Sequence, residues 1–222
     1  MTATPTEEPV SGPVDSLEVR WIVPGQPGTA MREWFARFPA GTEAREDSYL
    51  FRPRLRGLSV KLRGGIALDV KSYLGSPGIL DLPRQSRGRL EYWRKWSFPC
   101  GLPAQGDTTP AGWVIVRKRR RNCWFPLAKT QDPARSPQSA VQTGCAVELT
   151  EANVRGGSWW SVGFEATGSA GMLPGALQHA AALVFAQALP AGVEFSLVDS
   201  RSYAQWLSQR PGLDAEAPAH PE

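Results

Sequence analysis

Apolar and polar residues alternate along much of the chain in short runs that end near Gly or Pro. A period of two predicts β-strands, because successive side chains of a strand point to opposite faces. We therefore expect strands at 17–23, 48–51, 58–63, 67–73, 89–98, 113–121, 146–150, 159–166 and 193–197. The short spacing, with no helices alternating between these strands, favours an antiparallel sheet or barrel.

Three segments carry apolar residues at helical spacing instead. Thr29 is placed to cap a short helix over 30–38. An alanine-rich helix is predicted over 173–189, where apolar residues recur on one face. Near the end, 199–200 can cap a short helix that contains 203–207. The fold class we expect is mainly β (α+β), with helices that flank the strands.

The length and composition fit one folded domain with two polar tails. The chain has 222 residues, of which 41% are hydrophobic and 21% charged, as in ordinary globular proteins. Residues 1–14 and 211–222 are rich in Pro, acidic and small residues, and we expect disordered tails there. The single domain then covers 15–210. Its segment 126–142, rich in Pro, Ser, Gln and Ala, is typical of an exposed loop.

Cysteine usage and hydropathy indicate the compartment. The three cysteines form no Cys-x-x-Cys pair, and an odd count argues against a disulfide framework. There is no signal peptide and no apolar run near the ~20 residues that a membrane span needs. We therefore expect a cytoplasmic protein without a membrane partner, with reduced and buried cysteines.

Charged residues also alternate along several predicted strands. Lys and Arg concentrate between Arg52 and Arg121, although the whole chain carries only +4. Residues two apart share a face of the strand. The resulting rows are Lys61 with Arg63, Asp69 with Lys71, Glu91 with Lys95, Tyr92 with Arg94, Lys118 with Arg120, and Arg117 with Arg119 and Arg121. Alternation does not tell which face of a strand lies inside.

These rows have two interpretations, and the sequence leaves both open. Polar outer faces are common on antiparallel strands, so the rows can be solvated surfaces. Several rows, however, hold Lys or Arg with few acids, and like charges on neighbouring strands repel. A shared anionic ligand relieves that repulsion, and a guanidinium grips phosphate oxygens with two donors at once. The second interpretation predicts a cationic interior or groove for a phosphorylated small molecule or polyphosphate.

Three glutamates lie on separate predicted strands, at Glu18, Glu148 and Glu165. Facing the same interior as the basic rows, they can hold Mg²⁺ or Mn²⁺, hard cations that bind carboxylate and phosphate oxygens together. The alternative is an ordinary salt bridge between each glutamate and a nearby arginine. The chain has only two histidines, which makes a histidine metal site improbable.

In their order along the chain, these motifs resemble the CYTH superfamily, the triphosphate tunnel metalloenzymes. The resemblance covers 16–207 and rests on the Leu-x-Val-Lys-Leu-Arg strand at 58–63, the Val-Lys pair at 70–71, the Arg-Lys-Arg run at 117–119 and the late glutamate strands. It implies an eight-stranded antiparallel barrel whose tunnel-like lumen binds triphosphate or polyphosphate. Members include inorganic, thiamine and RNA triphosphatases and class IV adenylyl cyclases. The segment 202–207 also resembles the closing segment of uncharacterised CYTH-like bacterial proteins.

The resemblance also implies roles for residues of this chain. The resemblance implies that phosphate is bound by Arg20, Lys61, Arg63, Lys71, Arg117 and Arg119. Arg94, which comes from the charged rows, is added to these phosphate-binding candidates. The implied metal ligands are Glu18, Glu148 and Glu165, with Glu18 and Glu148 as the catalytic residues. The family's opening motif, Glu-x-Glu-x-Lys, has Ser16 at its first position here. A hydroxyl does not supply the carboxylate charge that helps to hold a metal.

Three functions follow from these residues, and the sequence does not decide between enzyme and binder. The first is a hydrolase acting on triphosphate, polyphosphate or a nucleotide, in which Mg²⁺ or Mn²⁺ polarises a phosphoryl oxygen. The second, which Ser16 favours, is a non-catalytic sensor or scaffold that binds such ligands. The third and least favoured is a nucleic-acid-binding protein, in which 117–121 faces outward and Trp93, Trp96 and Trp124 stack on bases.

Overall fold

The computed structural model describes residues 12–52, 56–83, 86–100, 112–127 and 142–210. Eight antiparallel strands in these ranges form one closed barrel, in the order β1-β5-β4-β3-β2-β6-β7-β8. The strands are β1 (Val14–Pro24), β2 (Gly41–Leu50), β3 (Leu58–Arg63), β4 (Ala67–Asp81), β5 (Arg87–Pro99), β6 (Trp113–Pro126), β7 (Gly144–Val154) and β8 (Gly157–Thr167). The prediction of an eight-stranded antiparallel barrel with flanking helices is confirmed.

One predicted strand is wrong. Residues 193–197 form no strand, and Phe195 is buried with its ring stacked on Trp21 at 4.9 Å between centroids. β1 pairs with β5 only over 14–18, so the barrel wall has a gap beyond that point. The segment fills this gap: the Phe195 carbonyl accepts from the Arg87 amide, and the Asp199 carbonyl accepts from the Ile22 amide. Its apolar alternation therefore reflects burial rather than sheet pairing.

Three α-helices lie close to their predicted positions, with shifted ends. They are α1 (Thr29–Ala36), α2 (Leu173–Phe185) and α3 (Tyr203–Ser208). The N-cap of α1 is Gly28 instead of Thr29. α2 ends at Phe185, four residues before the predicted end at Leu189, and the proline at position 190 accounts only for the non-helical backbone of Leu189 itself. The hydroxyl of Ser202, rather than 199–200, caps α3 by accepting from the Gln205 amide at 3.3 Å.

The main apolar core lies outside the barrel, between the outer faces of β1, β7 and β8 and the helices α1 and α2. Leu17, Val147 and Phe164 pack there with Phe35 and Leu177, and all five side chains are almost fully buried. Burying each such side chain stabilises the fold by about 1.5–3 kcal/mol. Because side chains alternate, the polar neighbours of these residues point into the barrel.

A second apolar cluster fills one end of the barrel interior. Trp206 and Leu207 of α3 pack there with Ile22, Val116 and Val154. Trp206 is 1% exposed. The charged residues of the strands therefore occupy the rest of the interior, beyond this apolar end.

Some predictions fall on residues that the structure does not describe. The predicted tails lie outside the described residues at 1–11 and 211–222, as does 128–141 of the predicted loop. Val14, assigned to the first tail, is the first residue of β1. All three cysteines are free; Cys123 and Cys145 are buried, whereas Cys100 is partly exposed. In the described ranges, every helix is too short or too polar to cross a membrane.

Candidate functional site

The interior of the barrel holds a cavity of about 230 Å³ whose wall is mostly charged. Ten basic residues line it: Arg20, Arg45, Lys61, Arg63, Lys71, Arg89, Lys95, Lys118, Arg120 and Arg201. Five acidic residues line it as well: Glu18, Asp69, Glu91, Glu148 and Glu165. The basic residues thus exceed the acidic ones by five. We call this space the lumen site.

The structure brings seven of the ten predicted site residues together in the lumen site. They are Glu18, Arg20, Lys61, Arg63, Lys71, Glu148 and Glu165, which come from five strands. Their convergence follows from barrel closure, because each of these residues lies on the inward face of its strand. The three others, on β5 and β6, lie outside the site.

On β6 the face that points into the barrel is not the face predicted to bind phosphate. Arg117 and Arg119 are exposed on the outer surface, and the side chain of Arg117, 70% exposed, pairs with Glu46 at 3.0 Å. Lys118 and Arg120 line the lumen site in their place. The reason is their register with Val116, which belongs to the buried apolar end of the interior. Because residues 117–121 are all basic, the sequence does not show which of the two alternating sets points inward.

Arg94 on β5 also lies outside the lumen site. Its guanidinium makes two hydrogen bonds to Asp15, of 2.7 and 2.8 Å, and its side chain is 42% exposed. These hydrogen bonds lower the pKa of the Asp15 carboxyl. The neighbours Trp93 and Lys95 line the site instead, which corrects the prediction that Arg94 binds phosphate there.

Several lumen residues escaped the sequence analysis as candidate site residues. They are Arg45, Tyr49, Asp69, Arg89, Glu91, Lys95, Lys118, Arg120, Arg201 and Tyr203, together with Asp47, which is buried behind the cavity wall. Arg45 and Asp47 of β2 had no hydrophobic signal, because 41–47 contains only small, polar and charged residues and was not predicted as a strand. The inward face of β2 follows from its pairing with β6, in which Arg45 lies opposite Lys118 and Asp47 opposite Val116. The sequence does not show this pairing.

Glu148 on β7 is clamped by two guanidinium groups. Arg20 on β1 donates to one of its carboxylate oxygens. Arg120 on β6 donates to the other oxygen through two nitrogens, with Nε at 2.9 Å. Burial alone would raise the pKa of Glu148, but Arg20 and Arg120 together lower it well below its usual value. Glu148 is therefore a charged carboxylate with both oxygens occupied.

Lys71 on β4 lies between two other carboxylates. Its ammonium donates to Oε1 of Glu18 at 2.6 Å and to Oε1 of Glu165 at 3.0 Å. Glu18 and Glu165 face each other across the β1–β8 pair. The Coulombic attraction of Lys71 lowers the pKa of Glu165, despite burial. The hydroxyl of Ser16 also donates to Oε1 of Glu18, at 2.6 Å.

Asp47, a fully buried carboxylate on β2, is shared by three cations. The ammonium of Lys118 donates to it at 2.9 Å, and Lys61 and the guanidinium of Arg45 lie 3.7 and 3.1 Å away. Burial and the like charge of Lys118 lower the pKa of Lys61 to about 7. Burial lowers the pKa of Lys118 to about 8, against the attraction of Asp47. These lysines lie in a region with more positive charge than its carboxylates neutralise.

Glu91 on β5 differs from the other lumen carboxylates. It is 4% exposed, and its Oε2 accepts a hydrogen bond from the Trp93 indole at 3.0 Å. Its Oε1 has no hydrogen-bond partner of good geometry. Burial, reinforced by the nearby charge of Glu18, raises the pKa of Glu91.

Several cations of the lumen site share the same carboxylate, and this determines which ligand the site can bind. Glu148 and Asp69 each serve two cations, and Asp47 serves three. Lys95 lines the cavity and makes no ion pair within the described part of the chain. Donors therefore outnumber acceptors, and an anion with several oxygens would satisfy them. The chemistry that fits is the binding of a compact, highly charged anion.

The carboxylates do not fit the divalent metal that the sequence resemblance implies. Among the described residues, no three side chains of Asp, Glu, His or Cys gather closely enough to hold a metal ion. Both oxygens of Glu148 are taken by arginines, and Lys71 already binds Glu18 and Glu165. A metal would have to displace Lys71 from both of its carboxylates, or separate Glu148 from Arg20, which makes no other ion pair among the described residues. No chemical step through a metal is derived from this arrangement.

No protein-family model and no curated protein matches the chain. Among solved structures, the barrel is similar to the PH1819 protein from Pyrococcus horikoshii OT3, with 15% identity and a TM-score of 0.40, covering 86% of this chain and 97% of that one. It is also similar to the S. pombe Pct1 RNA triphosphatase in complex with the Spt5 CTD, with 12% identity and a TM-score of 0.38, covering 78% of each chain. At such distance a shared shape says nothing about ligands, so only the lumen residues bear on function.

Proposed function

We propose that the barrel lumen binds a phosphate-rich anion: a triphosphate, a polyphosphate or the phosphates of a nucleotide. The observation that carries the proposal is the excess of ten basic over five acidic residues around one cavity. Arg and Lys suit phosphate because their donors form short, charge-assisted hydrogen bonds to its oxygens. In a low-dielectric interior such contacts are stronger than on an open surface.

The size of the cavity favours a small anion. Pockets for drug-sized ligands measure about 300–1,000 Å³, whereas the lumen site measures about 230 Å³. That volume suits a short inorganic chain or the phosphate end of a longer molecule. A nucleoside would then lie beyond the basic residues rather than among them.

The arrangement favours a ligand holder, a sensor or scaffold, over a metal-dependent hydrolase. Ser16 provides a hydroxyl where a hydrolase of the resembled kind would provide a carboxylate. Glu18, Glu148 and Glu165 are all engaged by basic side chains. The lumen therefore offers many donors for phosphate and few free carboxylate oxygens for catalysis.

Calorimetric titration with tripolyphosphate tests this function. We expect binding to the wild-type protein, and a loss of about tenfold or more in Lys61→Met, since one charge-assisted hydrogen bond contributes about 1.5–3 kcal/mol. Arg117→Gln is the matched control, because it removes one positive charge from the outer surface. Equal weakening in both variants, or no binding at all, would contradict the proposal.

Phosphate release separates holder from hydrolase. The wild-type protein is incubated with tripolyphosphate, long-chain polyphosphate and ATP, each with Mg²⁺ and with Mn²⁺. For a ligand holder we expect binding without release. Release that disappears in a Glu148→Gln protein that is still folded, as judged by circular dichroism, would establish the hydrolase instead.

A second candidate function, nucleic-acid binding, is favoured by the outer face of β6. Arg117, Arg119 and Arg121 point away from the lumen, which is the placement that this function requires. Against it, Trp93 is buried in the barrel and cannot stack on bases. Fluorescence anisotropy with a single-stranded oligonucleotide tests it: Arg117→Gln combined with Arg119→Gln should weaken binding and lower the salt slope by about 0.7 per lost phosphate contact. Weakening in Lys61→Met instead would assign any such binding to the lumen.

A further inference from the structure

We infer that the lumen site binds its phosphate ligand without a divalent metal, because the ammonium of Lys71 takes the place of a metal between Glu18 and Glu165. The inference rests on the proposed function, since it concerns how the same site neutralises its ligand. It also departs from what the sequence resemblance implies, namely Mg²⁺ or Mn²⁺ on Glu18, Glu148 and Glu165.

The first step is the position of the Lys71 ammonium. It contacts one oxygen of Glu18 at 2.6 Å and one of Glu165 at 3.0 Å, and these two glutamates lie directly opposite each other on β1 and β8. A metal ion bound at this point would likewise bridge the two carboxylates. Lys71 belongs to β4, which is separated from β1 by β5 in the barrel, so its ammonium reaches the pair through the lumen. The barrel thus supplies its own cation at the point where an external one would bind.

Few carboxylate oxygens at this corner of the lumen site are available to ligate a metal. Oε1 of Glu18 receives two hydrogen bonds, one from Lys71 and one from Ser16 at 2.6 Å. The Ser16 hydroxyl is neutral, so it adds no negative charge to this corner of the site. Divalent magnesium and manganese bind best where several carboxylate oxygens converge. Here Ser16 replaces one carboxylate of the β1 row, and the other, Glu18, shares its Oε1 between Lys71 and Ser16.

The third step concerns Glu148, the remaining implied ligand. Arg20 and Arg120 occupy both of its oxygens, and the side chain of Glu148 is 9% exposed. A metal that drew Glu148 away would leave Arg20 without an ion pair among the described residues, and Arg120 with only its 3.4 Å contact to the half-exposed Glu43, which is costly. A phosphate ligand, by contrast, can bind these arginines while Glu148 stays in place, because each guanidinium has five N–H donors.

Divalent-metal binding can be tested without any phosphate ligand. Terbium luminescence excited through tryptophan reports the occupation of a carboxylate site, and Trp93 lies in the lumen wall beside Glu91. We expect no signal above background from the wild-type protein. Lys71→Met should gain a signal that Mn²⁺ suppresses by competition, since this variant frees Glu18 and Glu165. Lys95→Met is the matched control: it removes a lumen lysine that forms no bridge between carboxylates, and it should stay dark.

Ligand binding is then compared in excess EDTA and in excess MgCl₂. We expect the wild-type affinity for tripolyphosphate to be equal or weaker with Mg²⁺, because Mg²⁺ neutralises the free ligand. A tenfold or greater tightening by Mg²⁺ (about 1.4 kcal/mol) would overturn the inference. So would terbium or Mn²⁺ bound to the wild-type protein and lost in Glu18→Gln.

The two proposals fail in different ways. If tripolyphosphate binds neither with EDTA nor with MgCl₂, the proposed function is wrong, and the terbium experiment still decides whether Lys71 excludes a metal. If tripolyphosphate binds only with MgCl₂, the proposed function stands and the inference is wrong. A Lys71→Met protein that folds, as judged by its circular dichroism, but gains no terbium signal also counts against the inference.

Discussion

Single side chains in the lumen depend on the charges that surround them, and Lys61 is the clearest case. Its ammonium has no carboxylate closer than 3.6 Å, and it shares Asp47 and Asp69 with other cations. Burial and Lys118 lower the pKa of Lys61 to about 7, from an ordinary value of 10.5. The charge of this residue therefore depends on pH near neutrality, which makes anion binding pH-dependent.

We predict that the affinity for tripolyphosphate falls as the pH rises from about 6 to 9. Lys61 and Lys118, with pKa values of about 7 and 8, lose their charges over this range, and an anion binds their charged forms better. Tripolyphosphate itself gains negative charge as the pH rises, so the fall must come from the protein. Titration calorimetry at several pH values measures it. Lys61→Met should flatten the lower part of the profile, and a flat wild-type profile would refute the prediction.

The same shifts affect the unfolding equilibrium in the opposite sense. Between pH values of about 7 and 10, the unfolded chain carries a proton on Lys61 that the folded protein has lost. The contribution of Lys61 to the free energy of unfolding therefore rises with pH through this window. Below a pH of about 7 the folded protein bears the full penalty of a buried ammonium.

Glu148→Gln tests the opposite kind of residue, a carboxylate that two cations require. We predict a loss of about 3–5 kcal/mol in the free energy of unfolding, since Arg20 would lose the one ion pair it makes among the described residues and Arg120 would keep only its longer contact with Glu43. Urea denaturation measures this loss. Glu46→Gln is the control, because Glu46 forms an exposed pair that contributes at most about 1 kcal/mol. Equal losses in the two variants would show that the clamp does not stabilise the fold.

At the scale of elements, strand periodicity could be predicted from the sequence where one face of a strand is apolar. β1, β7 and β8 were predicted because Leu17, Val147 and Phe164 alternate with polar residues. β2 was predicted only at its end, because 41–47 has no apolar face. β6 was predicted as a strand, but its inward face was not, since Arg117 and Lys118 look alike in the sequence. Which face of a strand turns inward depends on packing partners far away in the chain.

The helix α3 gives a prediction at this scale, because it fills one end of the barrel. Trp206→Ala should lower the free energy of unfolding by about 3–5 kcal/mol, as expected for a fully buried tryptophan. The control is Leu183→Ala on α2, where the side chain is 47% exposed and a change within about 0.5 kcal/mol is expected. Thermal unfolding measures both. A Trp206→Ala protein as stable as the control would mean that α3 does not pack into the barrel.

At the scale of the whole molecule, a closed barrel places charges from eight strands around one space. The excess of basic residues costs stability when no ligand is bound, because like charges repel in a low-dielectric interior. An anionic ligand that binds only the folded protein relieves this repulsion and stabilises the fold. On the proposed function, ligand binding and the free energy of unfolding are therefore coupled.

We predict that tripolyphosphate at about one hundred times its dissociation constant stabilises the fold by about 2.7 kcal/mol. For a chain of this size, that free energy raises the melting temperature by about 5–11 °C. Differential scanning fluorimetry measures the shift. Arg117→Gln should shift as much as the wild-type protein, whereas Lys61→Met should shift less at the same ligand concentration. A shift that disappears in Arg117→Gln and persists in Lys61→Met would move the binding site to the outer surface.

The sequence by itself determined which side chains share a face, because alternation along a strand is a local property of the backbone. It therefore grouped Lys61 with Arg63, and Lys118 with Arg120, before any partner strand was known. Only the tertiary structure decided which groups face the lumen, because barrel closure and the outer helices select the inward face. The same closure brought Lys71 to the two glutamates of β1 and β8. Such a contact joins residues 53 and 94 positions apart, and no local pattern specifies it.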